Sequence, residues 1–244
     1  MNPFFIVGAP RSGTTMLRDI FKDIPDLYSP EETHFYRWAA PFGGPEFTSI
    51  YKNNKVLKMH REMDGIDDET FFELYATSKD RGEFSRKYSE AVCKVKGKLN
   101  WFDKTPQNIY SLPLLAAQFK NSQVIHIYRN PYSVIKSLMV GKVIHVPEVV
   151  GAANYWVEAM QVIDVTQYYL KERLTEICYE KLVEGKSNEI AKLERSLELD
   201  MSSVNLSHMS LKVHDYLNDF SRSELDTIRD ICSPYMEKYG YEIL

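Results

Sequence analysis

Four apolar residues in a row, Phe4 to Val7, end at Gly8 and Pro10, and a helical pattern then runs from about Thr14 to Lys22. A short apolar run bounded by turn residues reads as a buried strand, and the longer period beyond it as a helix. The same alternation recurs along the chain. Leu99 to Phe102 reads as a strand followed by Pro106 and a helix around Leu112 to Phe119. Val124 to Tyr128 is a second apolar strand; it breaks at Asn130-Pro131, and Val134, Ile135, Leu138 and Met139 continue as a helix. Leu174 to Tyr179 is a further strand and Leu27 to Ser29 a short one, while long helical patterns cover Val149 to Leu170 and Glu224 to Tyr239. Strands alternating with helices predict an α/β fold of three layers, with a central, mainly parallel sheet covered on both faces. Between about Ala39 and Asp68 the period is lost among Gly43, Gly44, Pro45 and several aromatics. That segment reads as a long irregular connection, of the kind that carries function in a compact domain.

The 244 residues suit one domain, taken as residues 1–244, and 44% hydrophobic with 26% charged residues is ordinary for a globular chain. With 30 basic against 34 acidic side chains the net charge is −4. That balance argues against a nucleic-acid surface, so any phosphate must be held locally by a few placed groups. Cys93, Cys178 and Cys232 are scattered and odd in number, which supports neither a disulfide framework nor a cysteine zinc site. The opening residues carry no basic stretch before their apolar run, and no run of 18 apolar residues follows. The expectation is a cytoplasmic enzyme with no membrane segment.

Gly8-Ala9-Pro10-Arg11-Ser12-Gly13-Thr14-Thr15 follows a strand and opens a helix. Glycines there let backbone N–H groups turn toward an anion, and the helix N-terminus adds partial positive charge. Gly8 and Gly13 have the Walker A spacing, yet Thr14 stands where an ATPase lysine would reach the β- and γ-phosphates. The cation sits instead within the loop, as Arg11, which suits a donor with one phosphate and one further anionic group. A second anchor ends the strand at Arg129, with Ser137 eight residues on along the next helix and Ser133 on the same face. An arginine fork and a hydroxyl at the carboxyl end of a parallel strand suit a terminal phosphate. Two separate anchors fit a nucleotide phosphorylated at both its 3′ and 5′ ends.

The P-R-S-G-T-T loop resembles the 5′-phosphosulfate loop of the sulfotransferases that use 3′-phosphoadenosine 5′-phosphosulfate (PAPS), and Arg129 with Ser137 resembles their 3′-phosphate motif. The resemblance implies that Arg11, Ser12, Gly13, Thr14 and Thr15 hold the 5′-phosphosulfate, and Arg129 and Ser137 the 3′-phosphate. Glu31-Glu32-Thr33-His34-Phe35-Tyr36 is similar to the family's E-x-H-F-F segment, which places the general base at Glu32, with His34 as helper and next candidate. Asp103-Lys104-Thr105-Pro106 resembles an E-K-T-P segment, so Lys104 would bind sulfuryl oxygens or orient the acceptor, while Asp103 replaces the commoner glutamate. Tyr179-Glu180-Lys181-Leu182 and the Tyr239-Gly240-Tyr241 ending extend the likeness over most of the chain. Lys212 is the candidate for the adenine side.

The resemblance implies transfer of a sulfuryl group from PAPS to a hydroxyl or amine of a small acceptor, neutral or cationic given the acidic chain. No divalent metal is called for, since there is no β,γ-phosphate pair to bridge. Phe35, Tyr36, Trp38, Phe42, Phe47 and Tyr51 stand either in an acceptor wall or in the core. His126 falls in an apolar strand as a core histidine, and His60, His145, His208 and His214 show no metal-ligand spacing. Two rival readings stay open. A small-molecule kinase on a P-loop fold is opposed by Thr14, and a catalytically silent nucleotide-binding protein by the presence of both Glu32 and Lys104.

Overall fold

β1 (Phe4–Val7) is buried over its whole length because it lies between two neighbours and is covered on both faces. The other strands are β2 (Leu27–Tyr28), β3 (Asn100–Lys104), β4 (Gln123–Tyr128) and β5 (Leu174–Cys178), in the order β2-β3-β1-β4-β5. Every pairing is parallel, with Phe5 opposite Asp103 and Val7 opposite His126. The computed structural model describes residues 1–38, 40–185, 187–202, 204 and 216–244. Lys212, His208 and His214 lie outside the described residues.

The helices follow in chain order as α1 (Thr14–Phe21), α2 (Pro45–Asn53), α3 (Lys55–Asp64), α4 (Asp68–Ala76), α5 (Arg81–Lys96), α6 (Leu112–Gln118), α7 (Pro131–Met139), α8 (Val149–Leu170), α9 (Tyr179–Val183), α10 (Ser187–Leu197), α11 (Tyr216–Asp219) and α12 (Arg222–Tyr239). Side chains alternate across the pleat and so divide the interior in two. Phe4 and Ile6 join Leu17 and Phe21 of α1 and Leu193 of α10. Phe5 and Val7 join the larger body built from α5 to α8 and α12. The sheet is thus sandwiched as an α/β fold requires, and it is wholly rather than mainly parallel.

The stretch from 39 to 68 differs from its sequence reading: α2 and α3 occupy most of it. Pro45 sits in the first turn of α2, and the Asn54 side chain caps α3 by accepting from the N–H groups of Val56 (3.0 Å) and Leu57 (3.2 Å). Gly65, at φ +82°, ends α3 in the left-handed region. The aromatics divide as well. Phe35, Tyr36, Phe47 and Tyr51 are core, whereas Trp38 is only half-buried. His126 is fully buried in β4. Among the described residues no helix is long and apolar enough to cross a membrane.

Candidate active site

β3, β1 and β4 lie side by side and point the same way, so the segments that leave their carboxyl ends meet. β1 runs into the loop Gly8–Gly13 and β4 into Arg129, while Lys104 is the last residue of β3. The chain moves from β1 to β3 on one side and then to β4 on the other, which opens a crevice at the strand ends.

Two glycines let the loop pack there. A Cβ on Gly8 would stand 2.4 Å from the Ile127 carbonyl oxygen, and one on Gly13 would stand 2.4 Å from the Tyr179 ring. Gly13 also takes φ +97°, and Arg11 takes φ +74°, a conformation that costs a non-glycine residue on the order of 1 kcal/mol or more. No side chain caps α1 at Gly13, so its first N–H groups are left to face an anion.

A cleft of about 340 Å³ is lined by Arg11, Gly13, Thr14, Thr15, Glu32, Arg129 and Ser137, with Tyr179 at one wall. Arg11 Nε donates to Ser137 Oγ at 2.8 Å, so the two sequence-predicted anchors touch. Arg129 reaches the Arg11 carbonyl at 3.4 Å and lays its guanidinium over the Tyr179 ring at 4.2 Å. The Arg129 backbone is fixed from behind, because its carbonyl accepts from Trp156 Nε1 at 2.9 Å. Among the described residues, Arg129 Nε and Ser12 Oγ are both buried without a hydrogen-bond partner. Buried polar groups rarely stay unsatisfied, and of these two residues Arg129 lines the cleft.

Glu32 closes the far side of this cleft. Its carboxylate pairs with the Lys104 ammonium, which is only 3% exposed, and its second oxygen lies 3.5 Å from His34 Nε2. Burial pushes His34 down to about 4, more than the Glu32 carboxylate raises it. The ring is therefore neutral at pH 7 and is not the charged half of an ion pair. The Glu31 carboxylate stands 3.5 Å from Arg18 Nη1 on α1, and of this cleft and the one adjoining it Glu31, unlike Glu32, lines only the second.

Asp103 is not in the cleft. It is buried beneath it, accepting from the Thr33 hydroxyl at 2.8 Å and the Asn108 amide at 3.0 Å, while Thr105 Oγ1 accepts from the Thr33 N–H at 3.1 Å. Burial raises Asp103 to about 6 against those hydrogen bonds. It braces the Glu32–His34 turn, a task the short aspartate performs 70 residues away in sequence.

A second cleft of about 520 Å³ adjoins the first and shares Glu32, Gln107, Val143 and Ile144 with it. Its other walls include His34, Arg37, Trp38, His60, His145 and Tyr155, and a third hollow continues it past Tyr110 and Glu158. One compartment therefore collects Arg11, Arg129 and the start of α1, the other offers mixed aromatic and polar walls, and Glu32 stands between them. His60, Gln107 and Tyr155 were not singled out for this cleft by sequence, because no local spacing marks them. A larger cavity of about 930 Å³ opens at the amino ends of β4 and β5 and holds none of the motif residues.

The profile of the sulfotransferase family matches residues 3–203. The chain is 28% identical over 135 residues to the nodulation protein NoeE of Sinorhizobium fredii, a match covering 55% of this chain and 30% of that protein. It is 26% identical to a putative protein-tyrosine sulfotransferase of Caenorhabditis briggsae, over 98% of this chain and 88% of that one. The sulfotransferase domain from the Synechococcus PCC 7002 olefin synthase superposes with a TM-score of 0.70 at 20% identity, covering 100% of this chain and 96% of that chain. Mouse sulfotransferase SULT7A1 complexed with PAP, the desulfated nucleotide, superposes at 0.55 with 15% identity, over 96% and 84% of the two chains. At such identities the superpositions speak to the fold.

Proposed function

The chain belongs to the sulfotransferase family and is a sulfotransferase enzyme, and from that premise we propose that it transfers a sulfuryl group from PAPS to a hydroxyl or amine of a small acceptor. The observation that carries this reading is the junction of two clefts at Glu32, with Arg11, Arg129 and the start of α1 lining the nucleotide side.

In this reading the loop amides, Arg11 and the hydroxyls of Ser12, Thr14 and Thr15 hold the 5′-phosphosulfate, and Arg129 with Ser137 holds the 3′-phosphate. The donor when bound supplies an activated sulfuryl group, and the protein supplies position and charge. Glu32 takes the proton that the acceptor loses as its oxygen or nitrogen bonds to sulfur. Lys104, paired with Glu32, offers its ammonium to the sulfuryl oxygens, and Arg11 balances charge on the departing phosphate. His34, neutral and buried, shapes the turn and faces Glu32. The second cleft sets Glu31 and Glu32 against Arg37 among its carboxylates and guanidinium, so it makes no basic trough for a polyanion, and a neutral or cationic acceptor suits it.

Thermal unfolding with nucleotides tests the donor. PAPS and PAP should raise the melting temperature and ATP with magnesium should not, because only a ligand held by the native state stabilises it. Arg129→Ala should remove the preference for PAP over its 3′-dephospho analogue. A larger shift with ATP would overturn the reading in favour of a kinase. A metabolite extract incubated with labelled PAPS then reports the acceptor as the sulfated product by mass.

A further inference from the structure

α3 packs against the Glu31–Thr33 segment with charged residues turned inward. Leu57, Arg61 and Asp64 are its buried positions. Arg61 is accounted for by the fold: it donates to the Tyr51 carbonyl (3.2 Å) and to Asp68 (2.9 Å) and lies over Phe71. Asp64 is different. It is fully buried at the last position of α3, where the helix dipole disfavours a negative charge. Among the described residues no basic side chain pairs with it, and burial raises its proton affinity. A fold that needed only a filled space there would do better with an apolar side chain.

Its two oxygens have two partners. Oδ1 accepts from the Glu31 backbone N–H at 2.9 Å and Oδ2 accepts from the Tyr88 hydroxyl at 2.7 Å. Two further peptides of the same segment are held in a similar way. The Glu32 carbonyl accepts from His60 Nδ1 at 3.0 Å, and the Thr33 carbonyl from the Tyr51 hydroxyl at 3.3 Å. Three peptide groups, the one before Glu31 and those after Glu32 and Thr33, are thus fixed by side chains of α2, α3 and the residue that α5 places behind Asp64. Glu31 and Glu32 both line the second cleft, but only Glu32 also lines the first and pairs with Lys104, so the orientation of the peptide ahead of them bears on which carboxylate stands at the junction.

We infer that Asp64 is a positioning residue for sulfuryl transfer: it holds the Glu31 peptide so that Glu32 meets Lys104 while Glu31 is turned to Arg18. The inference rests on Glu32 acting as the base. Asp64 touches neither nucleotide nor acceptor cleft and acts only through the backbone beside Glu32. Asn in its place can still accept from the Glu31 N–H, Ala cannot, and Tyr88→Phe removes the other partner from the same buried spot.

The experiment follows PAP release from PAPS in a metabolite extract, over a range of PAPS concentrations, for Asp64→Ala, Asp64→Asn and Tyr88→Phe. Misplacing a reacting group by about an ångström costs up to roughly a hundredfold in rate. Asp64→Ala should therefore lose roughly ten- to a hundredfold in kcat with the KM for PAPS within about twofold. Asp64→Asn and Tyr88→Phe should stay within about threefold of wild type, even though Tyr88→Phe lowers the melting temperature. Equal losses for Asp64→Ala and Tyr88→Phe, or none for Asp64→Ala, would overturn the inference. Amide hydrogen exchange of the wild-type protein gives an answer that needs no variant to fold. The Glu31 N–H should be protected, and exchange at the rate of an open amide would equally end the proposal. In a Glu32→Gln background the Asp64→Ala loss should vanish. If Glu32→Gln is itself fully active, the base assignment fails, and the exchange result still reports whether Asp64 holds the peptide.

Discussion

Glu31 and Glu32 adjoin in sequence, yet one faces Arg18 and the other Lys104 and the meeting of the two clefts. A carboxamide keeps the size of a glutamate and cannot take a proton. Glu32→Gln should therefore leave the PAP-induced rise in melting temperature nearly intact and lower turnover by roughly a hundred- to ten-thousandfold. Glu31→Gln should stay within about threefold of wild type, and PAP release from PAPS with the acceptor-containing extract measures both. The reverse result would move the base by one residue; no loss in either would move it elsewhere, with His34 next. Residues that the fold brings together at the cleft were legible in the sequence where a local spacing marks them: Arg11 in its glycine loop, Glu32 before His34, Lys104 before Pro106, Arg129 eight residues from Ser137. The braces were not. Asp64 reaches Glu31 across 33 residues and Asp103 reaches Thr33 across 70, and no short pattern records a hydrogen bond between distant segments.

At the scale of elements, the strands and the helices that follow β1, β3 and β4 were readable because a run of apolar residues against turn residues is a strong signal, whereas α4, α5, α9 and α10 went unread. The stretch from 39 to 68 was not readable either, for a physical reason. α3 buries Leu57, Arg61 and Asp64, which do lie one helical turn apart, but two of the three are charged and so vanish from a hydrophobic pattern. The signals that remained were the Asn54 cap and Gly65. Asn54 accepts from two otherwise unpaired N–H groups at the start of α3. Asn54→Ala should therefore destabilise the protein by about 1 kcal/mol, read as a lower urea midpoint with unchanged slope. α3 serves the base segment rather than the nucleotide loop, so the rise in melting temperature with PAP should persist in this variant. Loss of that response would instead tie α3 to the donor cleft.

Across the whole molecule, the acidic balance that argued against a polyanion surface coexists with a cluster of cations at one end of the sheet. Arg11, Lys104 and Arg129 gather there only because β3, β1 and β4 are neighbours, an order that the sequence does not state. Bracing that end with buried acids gives the protein a characteristic response to pH. Asp103, ordinarily near 3.8, stands at about 6 in the fold because burial outweighs its hydrogen bonds. Between those values the folded protein keeps a proton that the unfolded chain has released, so raising the pH through this window costs folding stability. His34 works in the opposite sense. Its folded value of about 4 lies below the ordinary 6.5, so the unfolded chain binds the proton first and stability is lost as pH falls from 6.5 toward 4. The two slopes partly cancel in wild type, and a variant is needed to separate them. Asp103→Asn keeps the shape, an oxygen to accept a hydrogen bond and a Thr33 hydroxyl free to reorient, and it cannot ionise. Relative to wild type its stability should improve steadily from pH 4 to pH 7. The full displacement from 3.8 to about 6 corresponds to about 3 kcal/mol at most. Urea midpoints taken at intervals across that range measure the difference. A difference that stays flat from pH 4 to pH 7 would mean that Asp103 ionises in the folded protein as it does in the unfolded chain.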